Sequence, residues 1–256
     1  MDTIRALDIF IEKVDKANDP TEVFELLRAE IERRGFSIYT YWLMVGPEDN
    51  NPTNSFWVTS YPKEWTEHYL KEDYGPHDMV VRRSAISAVP FLWSDLKKKY
   101  VLTPTQKLVF DDARDIGIRG GATVPIRGPG MAVATFSVAS HEEDDEEFAQ
   151  HFKRYRHELH MLATYAHERL MQFGIGNYQY KDIALTAREI EVLTWAAAGK
   201  TNEEVGVILS ISSETVKTHI SNICRKFDVY TKAHAISIAV SHGIIQVTPE
   251  FSKKIA

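Results

Sequence analysis

Three helix-start signals crowd the last third of the chain, and they leave room only for short helices. Thr186-Ala187-Arg188-Glu189 is a capping box: the threonine accepts from the backbone one turn on, and the glutamate reaches back to the start. Thr201-Asn202-Glu203-Glu204 repeats the arrangement, and Ser212 can cap a third helix. The first helix passes through Val192 and Trp195 and ends at Gly199. The second places Val205, Ile208 and Leu209 on one face. Ser210-Ile211-Ser212 makes the corner, and the third helix buries Val216, Ile220, Ile223 and Phe227. Two short capped helices around a tight corner form a helix-turn-helix.

Gly199-Lys200-Thr201 also looks like the tail of a phosphate-binding loop. That loop needs a leading glycine, and the position is Thr194; the residues before it read as helix rather than strand. The nucleotide reading therefore fails. The third helix presents Ser213, Lys217, Thr218, Ser221, Asn222 and Arg225 away from its apolar stripe. Hydroxyl, amide and cationic groups suit base edges and phosphates. The same pattern also fits a plain three-helix unit with a solvated face.

Charge limits the choice without making it. The chain has 256 residues, room for one large domain or two modest ones, and a net charge of −6, unlike a non-specific polyanion binder. Between Asp182 and Val247 six Lys and Arg face seven Asp and Glu, so any DNA contact must concentrate on one helix face. No apolar run suggests a membrane span, and the charged N-terminal stretch lacks a signal-peptide core. A single cysteine, Cys224, fits a reducing compartment and gives neither an internal disulfide nor a cysteine-built zinc site. A cytoplasmic protein is the expectation. The enzyme reading finds no nucleophile elbow and no metal-ligand cluster; His157 and His160 are spaced for a metal but sit on a charged helix face.

The front of the chain has a different texture. Ile4, Leu7, Phe10, Ile11 and Val14 repeat at helical spacing, and Asp19-Pro20-Thr21-Glu22 starts a second helix that Gly35 ends. Strands are expected over 37–45 and 55–61, joined by the loop over 46–54, with a second hairpin around Gly128-Pro129-Gly130. Helices are expected over 62–73, 105–115 and 145–172, the last opened by the acidic run Glu142 to Glu147. The expected fold is α+β: an N-terminal α/β/α sandwich around an antiparallel sheet, then an all-α helix-turn-helix domain. The expected boundaries are 1–172, a linker at 173–182, and 183–256.

Tyr61, Trp65 and Tyr69 recur every four residues, on one side of a helix, as a core stripe would. Asp78 follows among apolar residues, and then Trp93. A buried aspartate among aromatics needs a donor, and a ligand amide N–H could be one; Tyr and Trp could donate to ligand carbonyls.

The stretch LTAREIEVLTWAAAGKTNEEVGVILSISSETVKTHISNICRKF closely resembles the DNA-binding domain of LuxR-type regulators. The resemblance implies that Lys217 and Ser221 reach base edges. It puts Lys200, Thr201, Thr218, His219 and Arg225 on the backbone or in support, and makes Glu189 a buttress of the core. These domains also occur behind phosphorylated receiver domains, but a receiver has a parallel sheet, and the strands here come as hairpins. Instead, Tyr61, Trp65, Tyr69, Asp78 and Trp93, with GIRGGATVPI later, resemble the pattern Y-x3-W-x3-Y-x8-D-P-V-x-W of acyl-homoserine-lactone receptors. The roles this implies are specific. Trp65 donates to the lactone carbonyl, Asp78 accepts from the amide, and Tyr61 donates to the acyl carbonyl with Ser137 beside it. Tyr69 and Trp93 pack on ligand; Phe110, Ala113 and Ile118 line the acyl wall; Gly121 permits close strand packing.

Met79 departs from the family's proline. A subgroup sensing plant compounds replaces the tryptophan or last tyrosine, and both are intact here. Also implied are a homodimer held by the long helix and by Lys232–His242, a palindromic DNA site, RNA polymerase as a partner, and no metal or other cofactor. The alternative is a regulator answering a non-lactone signal or none.

Overall fold

Helix α1 (Thr3–Lys16) and helix α2 (Pro20–Arg33) meet at Asp19, whose carboxylate accepts from the Glu22 amide at 3.0 Å while Pro20 opens the second helix. Glu22 reaches back to the Asn18 amide at 2.8 Å. Gly35, at φ +82°, lets the chain leave α2 in the left-handed region. In this computed structural model the described residues are 3–44, 56–127, 133–141, 144–175, 184–241 and 243–245. The expected loop over 46–54, Gly128-Pro129-Gly130, Glu142, the linker from 176 to 182 and His242 lie outside them. One compact unit is built from residues 1–128 and 132–178; a second centres on 179–256.

Strands β1 (Ile38–Met44), β2 (Phe56–Thr59), β3 (Phe91–Leu92), β4 (Gly120–Arg127) and β5 (Val133–Ser140) form one sheet in the order β2-β1-β5-β4-β3. Every neighbouring pair is antiparallel, so the two expected hairpins are present. Side chains alternate between the faces. Tyr41, Leu43, Val124, Ile126, Phe136 and Val138 join a core with α1, α2 and the long helix α7 (Asp145–Gln172). Ile38 and Ala139 point the other way, into a smaller cluster with Trp65, Val109 and Ala113. Those last three sit on α3 (Lys63–Lys71) and α6 (Pro104–Asp115), which completes the expected sandwich.

Two elements were not expected. Helix α4 (Met79–Ser84) and helix α5 (Trp93–Lys99) are each under two turns long, too short for an apolar period to register. Their local cause is legible afterwards. Asp78 caps α4, so Met79 holds the first helical position, where the family's proline would be pre-formed for a helix. Met79 therefore changes how α4 begins and leaves the carboxylate in place.

The second unit contains α8 (Ala187–Ala197), α9 (Asn202–Leu209), α10 (Ser213–Phe227) and α11 (Lys232–Ser241). Both capping boxes form, and Ser212 Oγ accepts from the Thr215 amide at 3.0 Å. Ser210 turns the corner in the left-handed region. Val192, Val205 and Val216 close one small core; Leu193, Ile223, Phe227 and Ala239 close the next. Ile208 differs from expectation, being 41% exposed, while Gly206 is buried. The corner folds back so closely that a Cβ at 206 would lie 2.7 Å from the Ile211 carbonyl oxygen, and this rotates α9 so that Ile208 reaches the rim.

Candidate ligand pocket and nucleic-acid interface

The sheet face opposite α7 floors a cavity of about 910 Å³, its mouth included. Helix α3 sets Trp65 and Tyr69 one turn apart above it, with Tyr61 just ahead of the helix. Helix α6 contributes Phe110 and Ala113, and Ile118 follows it. Trp93, Asp78 and Ser137 complete the wall. All nine residues marked in the sequence as ligand contacts thus line one space. Most of the lining is apolar, with a few polar groups converging, as small-molecule sites require.

Asp78 is 9% exposed and works as a helix cap. Its Oδ1 accepts from the Val80 amide at 2.7 Å, and its Oδ2 accepts from the Tyr69 hydroxyl at 3.0 Å. The donor it needs is therefore supplied in part by the protein, which the sequence did not reveal. No Lys or Arg neutralises it among the described residues. Burial pushes its carboxyl up from the ordinary aspartate value, against the lowering effect of those two hydrogen bonds. Burial, reinforced by the charge of Asp78, also raises the hydroxyls of Tyr61 and Tyr69. Both stay protonated and able to donate. Neither the Tyr61 hydroxyl nor the Trp65 indole N–H has a partner among the described residues.

Trp93 is held from below. Its Nε1 donates to Thr123 Oγ1 at 2.8 Å, and Thr123 Oγ1 is 2.8 Å from Ser137 Oγ. The indole packs directly against Gly121, where any Cβ would overlap the ring. On the far side, Asp112 braces α3 against α6: its Oδ2 is 2.6 Å from His68 Nε2 and accepts from the Tyr74 hydroxyl at 2.6 Å. Burial alone would raise Asp112, but the bonds from Tyr74 and His68 hold it below the ordinary value.

The sequence reading missed Thr40, Trp42, Trp57, Thr66, Leu70, Val80, Val81, Val109 and Thr135 in the lining. A period-two count was the available signal. Thr135 and Thr40 share the parity of Ser137 and Ile38 along their strands, and Trp57 pairs with Trp42 across the hairpin.

In the second unit, α10 exposes Lys217, Thr218, Ser221 and Arg225, with Ser213 and Asn222 half-buried. Several of these groups are already engaged. Lys217 pairs with Glu214 at 3.0 Å, Thr218 donates to the Glu214 carbonyl, and Arg225 donates to Asn222. Lys200 lies 3.7 Å from Glu204, and Thr201 is the cap of α9. These exposed pairs are weak and can exchange a carboxylate for a phosphate. Behind them, Glu189 is 4% exposed and accepts from Lys226 Nζ and from the Thr186 amide, both at 2.7 Å. This ties the start of α8 to the end of α10. Among the described residues no cluster of His, Cys, Asp and Glu could hold a metal, and no helix is long and apolar enough to cross a membrane.

The family described as "Autoinducer binding domain" matches residues 19–170, and "Bacterial regulatory proteins, luxR family" matches residues 184–239. The quorum-sensing regulator RhlR of Pseudomonas aeruginosa is 32% identical over 89% of this chain and 91% of its own. Among solved structures, SdiA of Escherichia coli is similar with a TM-score of 0.72 at 21% identity, covering 97% of this chain and all of that one. SdiA in complex with octanoyl-rac-glycerol gives 0.73 at 20% identity, covering 95% and 97%.

Proposed function

The chain belongs to the LuxR family of quorum-sensing transcription regulators, joining an autoinducer-binding domain to a helix-turn-helix, and from that premise we propose that its signal is an acyl-homoserine lactone. Residues 1–172 are the sensor, 173–182 the linker and 183–256 the DNA reader. The observation that carries this reading is the polar set in the cavity: one ionisable acceptor, Asp78, faces two unpaired donors, Tyr61 and Trp65. An acyl-homoserine lactone offers the complement, one amide N–H and two carbonyls. Trp65 donates to the lactone carbonyl, Tyr61 to the acyl carbonyl, and Asp78 accepts from the amide.

Filling an apolar cavity stabilises the state that holds the ligand, by an amount set by ligand concentration over Kd. The gain orders a homodimer through α7 and α11 in the cytoplasm. A two-fold pair of α10 helices then enters successive major grooves of a palindrome, with Lys217 and Ser221 on base edges. Lys200, Thr201, Ser213, Thr218, Asn222 and Arg225 position the helix on the backbone, and the bound dimer engages RNA polymerase.

One observation favours a second reading. SdiA, of similar fold, has been solved with an acylglycerol, which has an ester carbonyl but no amide N–H. A regulator of that kind answers a non-lactone signal. Mass spectrometry of small molecules extracted from protein expressed with a lactone mixture separates the two. Retained lactone at one equivalent supports the first reading; retained acylglycerol with lactone ignored overturns it. A gel shift on a palindromic site with Lys217→Ala tests the DNA half, with binding expected to fall about tenfold or more.

A further inference from the structure

We propose that the loop joining α5 to α6 docks the first unit on an anionic lipid surface. From Lys97 to Lys107 the chain carries four lysines and no acidic residue, within a protein of net charge −6. Lys97 is occupied by Asp145 at 2.7 Å. Lys98, Lys99 and Lys107 are exposed, and none of their ammonium groups has an ion-pair partner among the described residues. Three lysines in the last turn of a seven-residue helix exceed what its negative end can use, and Lys107 sits on the next helix. Between them the tip of the loop is apolar. Val101 is fully exposed and Tyr100 is 41% exposed, where a connection ordinarily carries polar residues.

Lysines alone suit any polyanion, DNA included. The tip decides for lipid. Valine gains nothing against a phosphate backbone, but it leaves water on entering the boundary between headgroups and acyl chains, where tyrosine also settles with its hydroxyl outward. The lysines on either side then meet headgroup phosphates while their stems lie along apolar surface. The place of the loop gives the docking a use. A groove runs beside it, lined by Tyr100, Val101, Lys107 and Phe110. Phe110 is also a wall of the ligand cavity, so a single side chain borders both spaces. A lipid-soluble signal held in the bilayer is thereby brought next to that side chain.

The experiment sediments the full chain with vesicles of phosphatidylcholine, alone or mixed with phosphatidylglycerol. Wild type is expected on the anionic vesicles only, and to be released by high salt. Each unpaired lysine is worth about fivefold at such a surface, so Lys98→Gln, Lys99→Gln and Lys107→Gln together are expected to weaken binding about a hundredfold. Val101→Ser, which leaves the charge alone, is expected to weaken it about fivefold. These side chains are exposed, so melting temperature and ligand binding are expected to stay as in wild type. Lys217→Ala, on the DNA-reading helix, is expected to bind vesicles as wild type does. Equal binding to both vesicles, binding to neither, or a triple variant held as tightly as wild type overturns the proposal. Loss in Lys217→Ala moves the contact to the second unit, and full binding by Val101→Ser leaves a general polyanion site; either result overturns lipid docking by this loop.

Discussion

The Tyr69 hydroxyl donates to Asp78 Oδ2 at 3.0 Å, linking α3 to the residue that caps α4 within the cavity wall. The tyrosine ring is fixed as well, edge-on to Trp65 at 5.6 Å and to Trp42 at 6.3 Å between centroids. The sequence resemblance casts Tyr69 as a packing wall. The structure gives its hydroxyl a second task, holding the carboxylate still while one oxygen caps the helix.

Tyr69→Phe tests that task. The ring packing survives and one donor to Asp78 disappears. Lactone affinity is expected to fall about tenfold at neutral pH, because the ligand meets a carboxylate that is less ionised and less well aimed. Calorimetric titration of the purified chain measures it, and unchanged affinity would show the hydroxyl to be idle.

The pH dependence of binding follows from Asp78. Its carboxyl is raised in the unliganded native state, and accepting an amide N–H favours the ionised form. Binding of a lactone in the proposed pose is therefore expected to release protons, with affinity falling as pH drops through the raised value. The fold responds in the opposite sense. The unliganded native state keeps this proton where the unfolded chain has lost it, so the stability it contributes is present at low pH and lost as pH rises through the native value. Asp78→Asn is expected to flatten both slopes. Titrations in two buffers of different ionisation heat read the proton release directly.

Legibility in the sequence followed length and period. The 28-residue α7 and the hairpins, whose patterns run over many residues, were readable, and so were the capping boxes, whose spacing is itself the signal. Helices α4 and α5 were not, since six or seven residues hold less than two turns. The cavity wall from Tyr61 to Trp93 was readable through its resemblance to known receptors. Thr135 and Trp42 were not, because side-chain alternation says which strand face a residue takes but not whether a helix or an empty space lies over it. Ile208 failed for a related reason: only the closeness of the corner at Gly206 decides how α9 is rotated.

Gly121→Ala tests the floor of the pocket. The new methyl overlaps the Trp93 indole, which cannot simply turn aside without breaking its bond to Thr123. Overpacking of this kind costs about 1–3 kcal/mol. The expected outcome is a lowered melting temperature without ligand and a lactone response reduced far more than DNA binding by the second unit. A ligand-bound response equal to wild type would mean that Trp93 is free to move.

Glu189 lets the DNA-reading half be disabled without touching the sensor. Its carboxylate, almost fully buried, closes the capping box at Thr186 and takes Lys226 from α10. Burial would raise it, but Lys226 and the Thr186 amide hold it below the ordinary glutamate value. A depressed carboxyl contributes stability that is present above the unfolded value and lost as pH falls through the folded one. Glu189→Ala takes the carboxylate from Lys226, which keeps the Ala184 carbonyl, leaves the Thr186 amide without its acceptor, and is expected to cost about 1–2 kcal/mol in the second unit. DNA binding in a gel shift should be lost while lactone titration is unchanged, since every residue lining the cavity lies before residue 140. Glu189→Gln keeps an acceptor for the cap and is expected to retain part of the DNA binding. If Glu189→Ala bound DNA as wild type does, the link between α8 and α10 would not be what sets the reading helix in place.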